Sequence, residues 1–364
     1  MQQDTQPGPV VGLFSGQLPR ELFYALGCLP VRVFPSAGKP AAADAYLPRN
    51  FCSLNKLWLA SFLEDEHSHH LDAVVFADED DATRRLHDVW RASLSVPVWA
   101  FVDVPRLTTP PAVQRYAEVL ASVAGEIARR TGGRLDCNSL KAAITLYNEQ
   151  RSLLAQLKAH WLAGRIQTAA YRRLRRSALT QSPLVANERL RQALAEVPQG
   201  TGPAAQSVGQ SRASGVLLLA ELAAPSGLVQ LLEARGARLV AEDSDLDERD
   251  VADTLDIPGD ACRVEDLLLG LAKAYLGKAP GPRMRDLSRR LDYLGRLVAN
   301  RGVRAAICAY SKFCDLYLAE FPVLKAHLES LGVPVLLLEL EDEAISGQHR
   351  TRVEAFLEMI PGEG

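Results

Sequence analysis

The chain has 364 residues, 48% of them hydrophobic and 23% charged, with a formal net charge of −3. That is the balance of a globular protein, long enough for two cores of roughly 100–200 residues each. The charge argues against attraction to nucleic acid or an anionic membrane, and no apolar run reaches the ~18–20 residues of a membrane span.

From the N-terminus, Met1 to Val10 lacks a basic region followed by an apolar block, so no signal peptide and a cytoplasmic location are expected. Short β-branched runs then predict strands at Val10–Phe14, Val31–Phe34, Ala73–Phe76 and Val96–Val102. Helical periodicity falls between and after them, at Pro19–Leu26, Lys56–Leu63 and Pro111–Arg130. Ser139–Leu162 carries Leu140, Ile144, Leu153, Leu154 and Leu157 at helical spacing without Pro or Gly, which predicts a long helix capped by Asn138 or Ser139. Residues 197–213 are rich in Gly, Pro and Ser and read as a linker. A second strand group follows at Val216–Leu219, Arg238–Ala241, Val303–Ala309 and Val335–Leu340, with a helix at Met284–Asn300. Buried strands alternating with helices predict parallel sheets covered on both faces. The expected division is an α/β domain over 1–135, a helical segment and linker over 136–213, and a second α/β domain over 214–364. Ligands of such sheets bind beyond the carboxyl ends of the strands, so the cleft between the halves is the expected site.

Six cysteines at positions 28, 52, 137, 262, 308 and 314 form no Cys-x-x-Cys pair, and disulfides are not expected in a reducing compartment. Cys262 and Cys308 read as small buried hydrophobes, and Cys137 as incidental. Glu66-His67-Ser68-His69-His70 reads as a solvated loop. No Gly-x-Gly-x-x-Gly, P-loop or Gly-x-Ser-x-Gly is present, so Walker-type ATP binding and serine hydrolysis are not expected.

A set of motifs runs through most of the chain. They are Leu18-Pro19-Arg20-Glu21-Leu22 leading to Pro30-Val31, Phe51-Cys52-Ser53, Thr83-Arg84 after an acidic run, Tyr147-Asn148-Glu149-x-Arg151, Phe313-Cys314-Asp315, and Gln348-His349-Arg350-Thr351-Arg352 to Phe356. In this order they resemble the D-component family that contains 2-hydroxyacyl-CoA dehydratases and benzoyl-CoA reductases. The resemblance implies two flavodoxin-like parallel-sheet domains joined by a helical segment. It further implies a [4Fe–4S] cluster on three cysteine thiolates, soft donors that suit iron–sulfur clusters. Implied partners are a homologous subunit or a second copy, a separate iron–sulfur ATPase activator and an acyl-CoA substrate.

Carried over position by position, Cys52 and Cys314 match two ligands, but the second motif reads Asp80-Asp81-Ala82-Thr83-Arg84, with Asp80 where the family has cysteine. Three readings stay open: a cluster on Cys52, Asp80 and Cys314, a third thiolate from Cys28, or a site without the cluster, empty or holding a mononuclear metal such as zinc. The missing cysteine favours an electron-relay or accessory subunit. Alternatives are a cluster-free structural or ligand-binding subunit and a homodimeric small-molecule reductase. Arg350 and Arg352 at a helix N-terminus are candidates for meeting the cluster or the acyl-CoA, and Glu21 is a candidate acid/base facing the cleft.

Overall fold

The computed structural model describes residues 8–36, 39–64, 70–198, 214–250, 254–256, 263–342 and 344–360. The linker reading falls mostly on 199–213, and Cys262, His67 and His69 also lie outside the described residues.

The N-terminal half holds β1 (Val10–Leu13), β2 (Leu29–Arg32), β3 (Ala73–Ala77) and β4 (Val98–Val102), all parallel, in the order β2-β1-β3-β4. The C-terminal half holds β5 (Gly215–Leu219), β6 (Arg238–Asp243), β7 (Val303–Ser311) and β8 (Val335–Leu340), in the order β6-β5-β7-β8. The two sheets therefore have the same topology, each a four-strand portion of the doubly wound, flavodoxin-like arrangement expected from the sequence. β2 begins two residues earlier than expected because Pro30 sits inside it. As an edge strand β2 tolerates proline, whose missing N–H costs no ladder bond on the open side.

Helices α1 (Arg20–Ala25), α2 (Ser53–Glu64), α3 (Asp81–Ser93) and α4 (Pro110–Thr131) accompany the first sheet. The central region contains α5 (Cys137–Leu162), α6 (Thr168–Thr180) and α7 (Pro183–Ala195). The cap of α5 is Asp136, whose carboxylate accepts from Ser139 N while the Ser139 hydroxyl accepts from Asp136 N, a reciprocal capping box one turn ahead of the expected start. The second sheet carries α8 (Ser226–Ala234), α9 (Val264–Gly277), α10 (Leu287–Arg301), α11 (Asp315–Ser330) and α12 (Gly347–Glu358).

Helix α5 runs under both halves. Leu140 and Ile144 pack with β1, α1 and α4, whereas Leu153, Leu157 and Trp161 pack with β5, β6 and α8. Helix α9 joins the core of the first half through Leu268, Leu271 and Tyr275. A third cluster joins the sheets directly, with Phe14, Trp58, Phe76 and Trp90 in the same core as Leu217, Cys308 and Tyr310. Phe14 and Phe76 stack at 4.3 Å while Trp58 and Trp90 meet Phe14 edge-on, geometries that add about 0.5–1.5 kcal/mol per pair beyond the area buried. At the start of β5, a Cβ on Gly215 would run into the Gly302 carbonyl, so glycine is what lets the β7 entry lie alongside. None of the described helices is long and apolar enough to cross a membrane.

Candidate functional site

Cys52, Asp80 and Cys314 occupy equivalent local positions, each directly ahead of a helix that follows the carboxyl end of a strand. The Cys52 carbonyl accepts the first helical bond of α2 from Lys56 N (3.1 Å), and that of Cys314 accepts from Leu318 N in α11 (3.0 Å). Asp80 opens α3, where its carbonyl accepts from Arg84 N (3.1 Å). Helix N-termini gather N–H groups and the positive end of the macrodipole, so these are places that favour an anion.

Two of the three come together. Cys52 and Cys314 share a side-chain hydrogen bond, and Ser53 N donates to the Lys312 carbonyl at 3.0 Å beside them, tying the halves. That hydrogen bond holds the Cys52 thiol below its usual range, against burial and the nearby Glu221, with Asn55 backbone and side chain assisting. Cys314 is pushed up by the same hydrogen bond, by burial and by the developing charge on Cys52. Cys52 is thus the more acidic of the two. Phe313, immediately before Cys314, has φ +61°, a left-handed conformation that costs a non-glycine residue about 1–2 kcal/mol. It turns the chain from β7 into α11 and aims Cys314 at Cys52.

Asp80 is held elsewhere. Its Oδ1 accepts from Thr83 N at 2.7 Å as the cap of α3, and its Oδ2 lies 3.8 Å from Arg283. Aspartate is a preferred helix cap, so the residue that stands where the resemblance implies a cysteine is consumed by the helix it opens. The neighbouring acids separate in the same way. Asp78 forms two 2.6 Å bonds to Arg84, buried Glu79 meets Ser15 and Arg283, and Asp81 is exposed. Cys28 does not join the pair either. It lies ahead of β2, at the amino end of a parallel sheet, within the α1–α4 core, and burial pushes its thiol up to about 12.

The carboxylate beside the pair is Glu221, which sequence reasoning missed. It follows β5, is buried, and accepts from Ser311 N at 2.7 Å. Burial pushes its carboxyl up, with the Ser311 N–H and Arg249 opposing. A charged residue at the end of the buried Val216–Leu219 run was the available signal. Among the described residues, no group of three or more His, Cys, Asp or Glu side chains is arranged to hold a metal. Two thiols and a flanking carboxylate do not fit the three-thiolate set that the family resemblance implies.

The other candidate residues lie apart from the pair. Glu21 is fully buried in an ion pair with Arg151 and accepts from Tyr275 OH at 2.7 Å. Burial alone would raise its pKa, but Arg151 and Tyr275 hold it lowered, so it is a fixed anion rather than a poised acid/base. Arg352 donates to the Leu337 carbonyl of edge strand β8 at 2.9 Å, and Arg350 is exposed. The cleft between the sheets is filled by ion pairs: Arg32–Asp245 at 2.6 Å, Arg249–Asp245 at 3.3 Å and Arg283–Glu79 at 2.8 Å. Only about 30 Å³ of space remains among Glu79, Asp245, Arg249 and Arg283.

The proximity of the two thiols has a chemical consequence. Treatment with diamide should join Cys52 to Cys314, with loss of two free thiols and recovery of the linked peptide by mass spectrometry. Recovery of both peptides unlinked, while other cysteines oxidise, would contradict the pairing.

The family model described as 2-hydroxyglutaryl-CoA dehydratase, D-component, matches residues 16–360. The lactoyl-CoA dehydratase subunit beta of Anaerotignum propionicum is 24% identical over 365 residues, covering 96% of this chain and 91% of that protein. The (R)-2-hydroxyglutaryl-CoA dehydratase subunit beta of Acidaminococcus fermentans is 21% identical over 359 residues, with 96% and 92% covered. A benzoyl-CoA reductase subunit of Thauera aromatica is 21% identical over 354 residues, with 93% and 86% covered.

Proposed function

The chain belongs to the 2-hydroxyglutaryl-CoA dehydratase D-component family, and on that premise we propose that it is the accessory, beta-type subunit of a heteromeric 2-hydroxyacyl-CoA dehydratase. Its partner would be a homologous subunit that binds the acyl-CoA, and its electrons would come from a separate iron–sulfur ATPase activator. The reaction class is removal of the 2-hydroxyl of an acyl thioester as water. The observation that carries the accessory role is the incomplete donor set. Cys52 and Cys314 meet, while Asp80 caps α3 and leaves the third corner without a thiolate.

In this reading the chain contributes no step through a cluster of its own. Its residues do two other things. Ser53, Lys312 and Glu221 brace the strand ends where the two halves meet, and the buried Cys52 and Cys314 thiols meet beside them. A second reading keeps a [4Fe–4S] cluster in this chain, with two corners on Cys52 and Cys314 and the third donor supplied from outside it. The meeting of two helix N-termini at the thiols favours it, because an anionic cluster suits their dipoles.

The test of the accessory role is reconstitution of dehydration from the chain, a homologous second subunit, the activator and ATP. Activity is expected only when all are present.

A further inference from the structure

A cavity of about 350 Å³ lies against α5, away from the cysteine pair, and is bordered by six cationic side chains: Arg20, Arg151, Lys158, Arg175, Lys278 and Arg301. They come from α1, α5, α6, the end of α9 and the end of α10, so positive charge faces the space from several directions. Two carboxylates, Glu248 and Asp250, line the same space. Glu248 pairs with Lys158 (2.6 Å) and Arg301 (3.9 Å), Glu21 with Arg151, and Asp247 with Lys158 (3.1 Å) and Arg175 (3.8 Å). Even with Glu21 and Asp247 counted, the cations exceed the carboxylates by two.

The surplus is concentrated around Asp250. Arg175, Lys278 and Arg20 stand 3.7, 3.9 and 4.0 Å from its Oδ atoms, and their hydrogen bonds go instead to backbone carbonyls, Arg175 to Leu246 and Asp247, Lys278 to Gly16 and Arg20 to Ala178. Lys278 and Arg175 are almost wholly buried, with side chains 3% and 1% exposed. Burial pushes the Lys278 ammonium down to about 8, with Arg151 and Arg20 adding to the effect against the pull of Asp250. The carbonyls satisfy these donors but do not neutralise the surplus, and buried net charge is costly unless a counter-charge reaches it. Ala155 and Ala159, exposed and one turn apart on α5, border the cavity, so small side chains leave a way in.

We propose that this cavity binds a phosphate dianion, free or as the phosphomonoester of a larger molecule, between Arg20, Arg151, Arg175 and Lys278. Guanidinium forks and an ammonium arriving from separate elements suit tetrahedral oxygens. A dianion matches the surplus, and the volume falls in the range that holds an organic ligand, about 300–1,000 Å³. Coenzyme A, which ends in a 3′-phosphomonoester, and inorganic phosphate are the two sources to separate. The proposal does not depend on the dehydratase reading.

The full chain is titrated calorimetrically and by thermal shift with inorganic phosphate, coenzyme A and dephospho-coenzyme A, against sodium chloride at matched ionic strength. Saturable binding of phosphate is expected, weakened about tenfold by Lys278→Gln, which removes a charge-assisted donor. Arg301→Gln, at the rim and partly exposed, should keep the fold and weaken binding about threefold. Competition by coenzyme A but not by the dephospho form identifies the ester as the source, and phosphate binding without such competition identifies a free or different phosphate. No saturable response to phosphate or coenzyme A at millimolar concentration overturns the proposal. So does binding that neither substitution weakens.

Discussion

Arg290→Met is expected to destabilise the fold by ~3–5 kcal/mol, the cost of breaking a buried ion pair from one side. Arg290 lies on α10 with its side chain 1% exposed. It stands 2.6 Å from Asp243 at the end of β6, donates to Glu320 Oε1 on α11 at 3.2 Å and donates to the Pro280 carbonyl at 3.0 Å. Asp243 is fully buried. Methionine fills much of the volume but leaves that carboxylate only Arg249, 3.9 Å away, and the buried charge so under-compensated outweighs the packing retained. Replacing both partners, as in Arg290→Met with Asp243→Leu, should recover a large part of the loss, because a buried pair gains little over well-packed apolar residues. Urea denaturation of the two variants separates these effects. A single variant within about 1 kcal/mol of the parent, the range of exposed ion pairs, would show that the bridge does not carry the junction of β6, α10 and α11.

Asp80→Cys should change metal content more than any other single substitution. The parent chain presents two meeting thiols and no third, so protein prepared without oxygen is expected to hold less than about one iron per chain, short of the four of a cubane. A cysteine at 80 would restore a soft donor at a third helix N-terminus, and iron and acid-labile sulfide should rise toward four each. The exchange sacrifices the bond from Thr83 N to Asp80 Oδ1, a capping loss of about 0.5–2 kcal/mol that a bound cluster would outweigh. No gain of iron would show that position 80 is not the missing corner. Four irons in the parent would instead support the cluster with an outside donor.

The sequence made the sheets legible because the strands are short apolar runs, two of them, β3 and β5, buried along their whole length, a pattern that survives without tertiary information. Both sheets and α5 were readable in this way. Boundaries failed where local chemistry had two outcomes. Pro30 reads as a strand breaker until β2 is known to be an edge, and Asp136 outcompeted Ser139 as the cap of α5 because the two residues form a box.

The candidate site was legible only in part. Cys52 and Cys314 could be paired from their motifs, and the structure brings them together. The acidic run Asp78 to Asp81 could not be sorted, since four like residues acquire different partners only when Arg84, Arg283 and the α3 backbone are placed around them. Glu21 looked like a cleft acid because its partner, Arg151, is 130 positions away in the chain. The phosphate cavity left no local pattern, since its cations come from segments as far apart as Arg20 and Arg301.

Reconstitution tests the central claim most directly. The chain, a co-expressed homologous subunit, the iron–sulfur ATPase activator and ATP are combined without oxygen. Lactoyl-, phenyllactyl- and 2-hydroxyglutaryl-CoA are offered in turn, and the enoyl product is followed with each component omitted. The account predicts dehydration of at least one of these thioesters by the complete mixture, and none when this chain or its partner subunit is left out. Turnover by this chain with the activator alone, or undiminished turnover in its absence, would contradict it.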